Sequence, residues 1–63
     1  MGLMFTAAEK LEAVERELKY RHRVYNRMVL NNKMNQEFAN RQIGVFEAIA
    51  EDYREQAKKE RIL

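Results

Sequence analysis

The stretch that decides the fold is Asn31-Asn32-Lys33-Met34-Asn35, because it separates two long helical patterns. Asparagine accepts the left-handed backbone conformation that ends many helices, so Asn31 or Asn32 can close the first helix. Asn35 is a good N-cap for the second helix. A connection of three to five residues makes its two helices run antiparallel. The sequence therefore predicts an antiparallel helical hairpin. The alternative is one continuous helix, because asparagine is only mildly unfavourable in a helix interior.

Sixty-three residues are enough for one small domain. The start of the first helix is marked by Thr6 and Glu9, which form a T-x-x-E capping box. Proline is absent, so neither helix is interrupted by it. The fold class is therefore all-α. The predicted organisation is a single domain over residues 1–63, with a helix over 6–31, a turn over 31–35 and a helix over 36–61.

Each helix carries a narrow apolar stripe in which residues recur at alternating steps of three and four, the spacing of a coiled-coil seam. Arg21 occupies one step of the first seam. We expect it either to pair with Glu47 on the returning helix or to reach solvent while its stem packs. In the second seam small residues alternate with large ones, so facing layers can interdigitate. The seam positions are Ala7, Leu11, Val14, Leu18, Tyr25 and Met28, then Ala39, Ile43, Phe46, Ala50, Tyr53 and Ala57.

A second apolar stripe lies beside the seam of each helix, at about 100° of rotation per residue. Together with the seam it forms an apolar arc that is too wide for one partner helix to cover. We therefore expect self-association, most simply as a dimer of hairpins in a four-helix bundle. The alternative is a monomer that docks onto a different protein. The predicted oligomer interface consists of Tyr20, Val24, Met28, Phe38, Val45 and Ile49.

The middle of the first helix interleaves basic side chains with an aromatic one, a combination that can follow a phosphate backbone and stack on a base. Residues 16–41 carry a net charge of +5 and the remainder −3, so the loop end is basic and the open end acidic. This asymmetry fits nucleic-acid binding, alignment of two hairpins or of a partner by opposite charges, or a solvated surface. A total charge of +2 is modest for a nucleic-acid binder. The candidate nucleic-acid contacts are Arg16, Lys19, Tyr20, Arg23 and Arg27.

The composition favours a role other than catalysis. Cysteine and serine are both absent, which removes the common nucleophiles and any disulfide or thiolate metal site. His22 is the single histidine, and the Glu-x-x-His pairs of di-iron helical bundles do not occur. An acidic row on the second helix is typical of a solvated face. We expect no enzymatic activity, no cofactor and no metal.

No apolar run approaches the roughly 20 residues that a membrane-spanning helix needs, so we expect a soluble, cytoplasmic protein without membrane contact. The first six residues match the N-myristoylation pattern M-G-x-x-x-[ST]. This pattern is short and often arises by chance, so we expect no lipid at Gly2.

Several segments between Val14 and Tyr53 follow a pattern close to V-E-R-E-[IL]-x-x-R-x-R-V-Y, then a G-[RK]-M turn, then A-I-x-x-D-[YL]. The segments are Glu15-Arg16-Glu17-Leu18, Arg21-His22-Arg23-Val24-Tyr25, Lys33-Met34 and Ala48-Ile49-Ala50-Glu51-Asp52-Tyr53. This pattern resembles that of small uncharacterised helical proteins encoded by bacteriophages and prophages. Asn32 stands where that pattern has glycine. The resemblance implies a phage-derived bacterial origin and transfers no activity or functional residues.

These observations predict a small phage-derived interaction or accessory protein that self-associates through coiled-coil-like helices. The alternative function is a nucleic-acid-binding accessory protein that uses the basic face of the first helix.

Overall fold

The computed structural model describes residues 5–62 as two α-helices, α1 (Ala7–Leu30) and α2 (Gln36–Ile62), joined by a short turn. Contacts between Glu15 and Arg54 and between His22 and Glu47 show that the helices run in opposite directions. The molecule is a rod with dimensions of 47 × 18 × 17 Å. The predicted all-α antiparallel hairpin is confirmed, and the described residues contain no strand.

The helix bounds differ slightly from the predicted ones because capping residues lie outside the helices they cap. Thr6 is the N-cap of α1 and Asn31 its C-cap, so α1 covers neither residue. The second helix extends to Ile62, one residue further than predicted. The expectation about Gly2 and the two ends of the predicted 1–63 domain fall outside the described residues.

The first helix begins with the predicted capping box. The Thr6 side-chain oxygen accepts a hydrogen bond from the Glu9 backbone N–H at 3.1 Å, and the Glu9 carboxylate accepts one from the Thr6 N–H at 2.9 Å. A further N–H of this first turn, that of Ala7, donates to the carboxylate of Glu60 at 3.0 Å. Glu60 lies near the end of α2, so this bond holds the open end of the hairpin together.

The turn is built by asparagine at its left-handed position. Asn32 has a φ of 58°, and its N–H donates to the Val29 carbonyl at 3.0 Å. The Lys33 N–H donates to the Met28 carbonyl at 2.7 Å. This pair of hydrogen bonds is a Schellman motif, which satisfies carbonyl groups at the end of α1.

The second helix begins at the N-cap that the sequence predicts. The side-chain carbonyl oxygen of Asn35 accepts hydrogen bonds from the Glu37 N–H at 2.8 Å and the Phe38 N–H at 3.1 Å. Such bonds satisfy backbone donors that a helix start otherwise leaves without partners. The turn and both caps therefore follow from local sequence alone.

The interface between the helices follows the two predicted seams, but few side chains are fully buried in it. Between Phe5 and Ile62 the buried residues are Ala7, Ala39 and Ala50, and no large side chain is fully buried. The larger seam residues, such as Leu18 and Phe46, keep part of their surface exposed. Two helices can cover the small side chains between them but not the sides of the large ones.

Arg21 occupies its seam position in an unexpected way. Of the two arrangements expected for Arg21, the ion pair with Glu47 is not formed within 4 Å, and Glu47 instead lies 3.9 Å from the His22 imidazole. The Arg21 guanidinium instead lies over the Phe46 ring, with its carbon 4.3 Å from the ring centroid. One of its terminal nitrogens donates to the Tyr25 hydroxyl at 3.0 Å. The other terminal nitrogen lies 3.5 Å from the Glu17 carboxylate, so the carboxylate beside Arg21 belongs to its own helix and not to α2.

Candidate association surface

The seam divides the hairpin into two faces with different chemistry. On one face polar side chains of the two helices meet: Glu15 and Arg54 lie 3.1 Å apart, and His22 and Glu47 lie 3.9 Å apart. We call this the polar face. At about 100° per residue, Tyr20, Val24 and Met28 lie on the other side of the α1 seam, and Phe38, Val45 and Ile49 on the other side of the α2 seam.

The six predicted interface residues therefore share one side of the hairpin, which we call the apolar face. In the register set by these two contacts between the helices, Val24 lies level with Val45, and Tyr20 lies level with Ile49. The stripes of the two helices consequently form one surface in the half of the rod nearest the turn. The sequence predicted each stripe separately but not that they are adjacent.

The apolar face is largely open to solvent in the single chain. Tyr20, Phe38 and Val45 retain 55%, 51% and 47% of their accessible surface. Val24 and Ile49 are half-buried beside the seam. Exposed large apolar residues scattered singly are ordinary on protein surfaces, whereas a contiguous group on one side is typical of an interaction site.

The candidate nucleic-acid contacts lie on the outer surface of α1, and all of them are exposed. The Arg16 guanidinium lies 3.6 Å from the carboxylate of Glu12, four residues earlier on α1, so its charge is partly compensated. Lys19, Arg23 and Arg27 make no ion pair with any residue of the described range 5–62. Tyr20 lies between this basic surface and the apolar face. It is the one residue shared by the two candidate sites.

The polar face is held together by paired charges. Arg54 donates hydrogen bonds to Glu15 from the facing helix and to Glu51 from its own helix, and these two bonds raise the guanidinium pKa above its ordinary value. Within residues 5–62 no group of three or more histidine, aspartate or glutamate side chains is arranged to hold a metal ion. Within the same residues, neither helix has the apolar length required to cross a bilayer.

Two ion pairs differ from those that helical i,i+4 spacing favours, one of them between the helices and one within α2. Helical i,i+4 spacing matches Glu15 with Lys19, but the longer Arg54 side chain from α2 reaches it instead. Similar spacing matches Glu55 with Lys59, whereas the structure pairs it with Lys58 at 3.3 Å. Spacing along one helix identifies the candidate partners on that helix, but it does not rank them against one another or against a side chain from the facing helix.

No protein-family model matches the chain, and comparisons with curated proteins and with solved structures give no match either. The resemblance to phage-encoded helical proteins stays a prediction. The exposed apolar face and the basic outer surface of α1 are the two features from which a function can be argued.

Proposed function

We propose that this chain is a small interaction protein that self-associates through its apolar face, with two hairpins forming a four-helix bundle. The observation that carries the proposal is the continuity of half-exposed large apolar side chains on one side of the rod. Tyr20, Phe38 and Val45 are each about half exposed, while within residues 5–62 the fully buried residues are three alanines.

Association would complete a core that one hairpin leaves open. Fully burying a side chain such as phenylalanine or valine contributes roughly 1.5–3 kcal/mol, and the partly exposed side chains of the apolar face have gained only part of that amount. Domains of fewer than about 70 residues often rely on oligomerisation because a single small core contributes too little. A second layer of helices on the apolar face is the simplest way to cover these side chains while the polar face stays in water.

The resemblance to phage-encoded helical proteins supports the biological setting that we propose. It favours an accessory protein of phage origin that acts in the cytoplasm of a bacterium. Because the resemblance carries no catalytic residues, we propose a role in assembly or in contact with other proteins rather than in chemistry.

The test is to place a charge in the centre of the apolar face and measure the molar mass in solution. Val45→Asp introduces a carboxylate at the middle of the proposed interface. Ala48→Asp is the matched control, because Ala48 is also exposed on α2 but lies about 60° further from the seam.

Light scattering coupled to size-exclusion chromatography should give a dimer for the unchanged chain and for Ala48→Asp, and a monomer for Val45→Asp. Circular dichroism on each sample reports whether the helices persist. Equal masses for all three proteins at the dimer value would place the interface elsewhere, and a monomeric unchanged chain would remove the proposal.

A second candidate function is nucleic-acid binding by the outer surface of α1. The specific observation in its favour is that Lys19, Arg23 and Arg27 are exposed and make no ion pair within residues 5–62. Cations that are not already paired are available to phosphate groups, and Tyr20 at the border offers an aromatic ring for base stacking. Phosphate contacts of this kind weaken steeply as salt is added.

Fluorescence anisotropy with a labelled single-stranded oligonucleotide tests this candidate. We expect retention at low salt that is lost in the double variant Arg16→Glu plus Arg23→Glu. The double variant Lys59→Glu plus Arg61→Glu changes the net charge equally at the end of α2 and should retain binding. Absence of binding by the unchanged chain at about 50 mM salt would remove the candidate.

A further inference from the structure

The charge pattern of α1 changes after Glu17. Up to that residue, carboxylates stand four residues ahead of cations, and the structure forms two such pairs, Glu12 with Arg16 at 3.6 Å and Glu17 with Arg21 at 3.5 Å. From residue 18 to residue 36 the chain contains five basic residues and no aspartate or glutamate. The second half of α1 therefore has no carboxylate of its own to pair with its cations.

Three exposed cations in this half repel one another instead. Lys19, Arg23 and Arg27 follow each other at i,i+4 spacing, and like charges at this spacing destabilise a helix by about as much as opposite charges stabilise it. None of the three makes an ion pair with another residue that the structure describes. Glu15, which stands four residues before Lys19, is bonded to Arg54 of α2. An anion lying along these cations would relieve their repulsion.

We refer to Lys19, Arg23 and Arg27 as the basic stripe. Each lies about 6 Å further along α1 than the one before and about 40° further around it, so the three form one line on the side turned away from α2. This step is close to the length of one sugar–phosphate repeat, so a single strand can place successive phosphates against successive cations.

The surfaces on either side of the basic stripe argue against a duplex. On one side lies Tyr20 with the apolar face, and on the other lies Glu15 with the polar face. A helix inserted into the major groove of a duplex has a phosphate backbone on each side. The residues described for α1 provide a single row of unpaired cations, which matches one backbone.

We propose that the basic stripe binds a single-stranded nucleic acid, with one phosphate against each of its three cations and a base stacked on Tyr20. Tyr20 is 55% exposed and lies at the edge of the stripe, one residue from Lys19 and three from Arg23. Its ring can stack on a base that is not already stacked in a duplex. The inference rests on the second candidate function and deepens it by naming the form of the nucleic acid and the number of phosphates.

The salt dependence of binding counts the phosphates. For a single strand, the logarithm of the binding constant falls with the logarithm of the salt concentration by about 0.7 for each neutralised phosphate. Three contacts predict a slope of about −2, measured by fluorescence anisotropy with a labelled oligothymidylate between about 50 and 200 mM salt. Arg23→Gln should reduce the slope to about −1.4.

Lys59→Gln is the matched control, because it removes the same charge from an exposed cation near the end of α2. It should leave the slope unchanged. Arginine and glutamine have similar helix propensities, so Arg23→Gln mainly removes two repulsive pairs, and its melting temperature at low salt should rise by a few degrees. A variant that bound weakly because it unfolded would melt earlier, so the two readouts together exclude that explanation.

The stacking contact is tested separately because it does not depend on salt in the same way. Tyr20→Leu keeps an apolar side chain at the border of the apolar face and removes the ring. It should lower the affinity for the single strand by roughly tenfold and leave the slope unchanged. Tyr20→Phe keeps the ring and should bind as the unchanged chain does.

An oligothymidylate–oligoadenylate duplex and inorganic polyphosphate, which has no bases, are the comparison ligands. Tyr20→Leu should weaken binding of the single strand but of neither comparison ligand. Tighter binding of the duplex than of the single strand, or a single strand that Tyr20→Leu does not weaken, overturns the single-strand assignment and leaves nucleic-acid binding standing. Equal slopes for Arg23→Gln and Lys59→Gln overturn the basic stripe as the site. Absence of nucleic-acid binding at about 50 mM salt overturns both this inference and the second candidate function.

Discussion

The guanidinium carbon of Arg21 lies 4.3 Å from the centroid of the Phe46 ring on the facing helix. Arg21 therefore places a charged side chain at a position of the α1 seam that faces α2, where apolar residues are expected. Its hydrogen bond to the Tyr25 hydroxyl satisfies one terminal nitrogen, and Glu17 lies 3.5 Å from the other. The Nε atom is buried and has no hydrogen-bond partner among the described residues. The contact is thus a compromise between packing and polar satisfaction.

Substitutions at Arg21 separate the contribution of its packed stem from that of its charged guanidinium group. Arg21→Met keeps a long flexible stem over Phe46 and removes the buried Nε donor, which costs about 1–3 kcal/mol when left without a partner. It also loses the cation–π contact, worth roughly 0.5–2 kcal/mol. Removing the unpaired Nε donor stabilises the hairpin and losing the cation–π contact destabilises it. The free energy of unfolding of Arg21→Met should therefore change by less than about 1 kcal/mol. Arg21→Ala loses the stem as well and should destabilise by about 1–2 kcal/mol. Urea unfolding at a fixed protein concentration measures both.

Equal and large destabilisation by Arg21→Met and Arg21→Ala would contradict this account, because it would mean that the charge rather than the stem stabilises the seam. Lys19→Met serves as the control, since Lys19 is exposed on the same helix and makes no ion pair within residues 5–62. It should change the stability by no more than about 0.5 kcal/mol.

The turn offers a second prediction at Asn32, whose φ of 58° lies in the left-handed region. Glycine adopts this conformation without steric cost, and alanine does not. Asn32→Ala should therefore lower the free energy of unfolding by about 1 kcal/mol, whereas Asn32→Gly should leave it unchanged or raise it slightly. The same pair of substitutions at Asn31, which has a negative φ of −92°, should show no advantage for glycine. Thermal melts of the four variants provide the measurement.

The open end of the hairpin gives a third prediction. Glu60 lies near the C-terminal end of α2, where a carboxylate is unfavourable for its own helix, but its oxygens accept the Ala7 N–H at the start of α1. Glu60→Ala should therefore release the first turn of α1, so that its amides exchange with solvent faster while those near the turn stay protected. Hydrogen exchange followed by NMR resolves the two regions.

Glu55→Ala is a suitable comparison for Glu60→Ala, because the ion pair of Glu55 is with the exposed Lys58 on its own helix. It should leave the exchange of the first α1 turn unchanged. If both variants accelerated exchange equally, the effect would come from general weakening of α2 rather than from the bond between Glu60 and Ala7.

The sequence predicted the features of this fold that depend on neighbouring residues. The capping box at Thr6, the left-handed asparagine at the turn and the N-cap at Asn35 are each determined by a few consecutive residues, and all are present. The two seams were also predictable, because helical spacing alone decides which residues share a face.

The remaining features depend on which of several long side chains reaches a given partner. Glu15 has both Lys19 and Arg54 within reach, and the choice depends on the relative position of two helices that the sequence does not specify. The same limitation applies to Arg21, which lies over the Phe46 ring and beside Glu17 of its own helix rather than beside Glu47. Helical spacing places each apolar stripe on its own helix. That the two stripes lie on the same side of the hairpin could be seen only once the relative position of the two helices was known.

Sedimentation equilibrium of the unchanged chain, between about one and one hundred micromolar at physiological salt, tests the central claim most directly. The proposed association predicts that the mean mass rises with concentration from 7.6 kDa to twice that value, and that the melting temperature rises with it. A constant mass of 7.6 kDa over the whole range, with a cooperative melt that does not depend on concentration, would contradict the claim. The apolar face would then be stable in water without a partner.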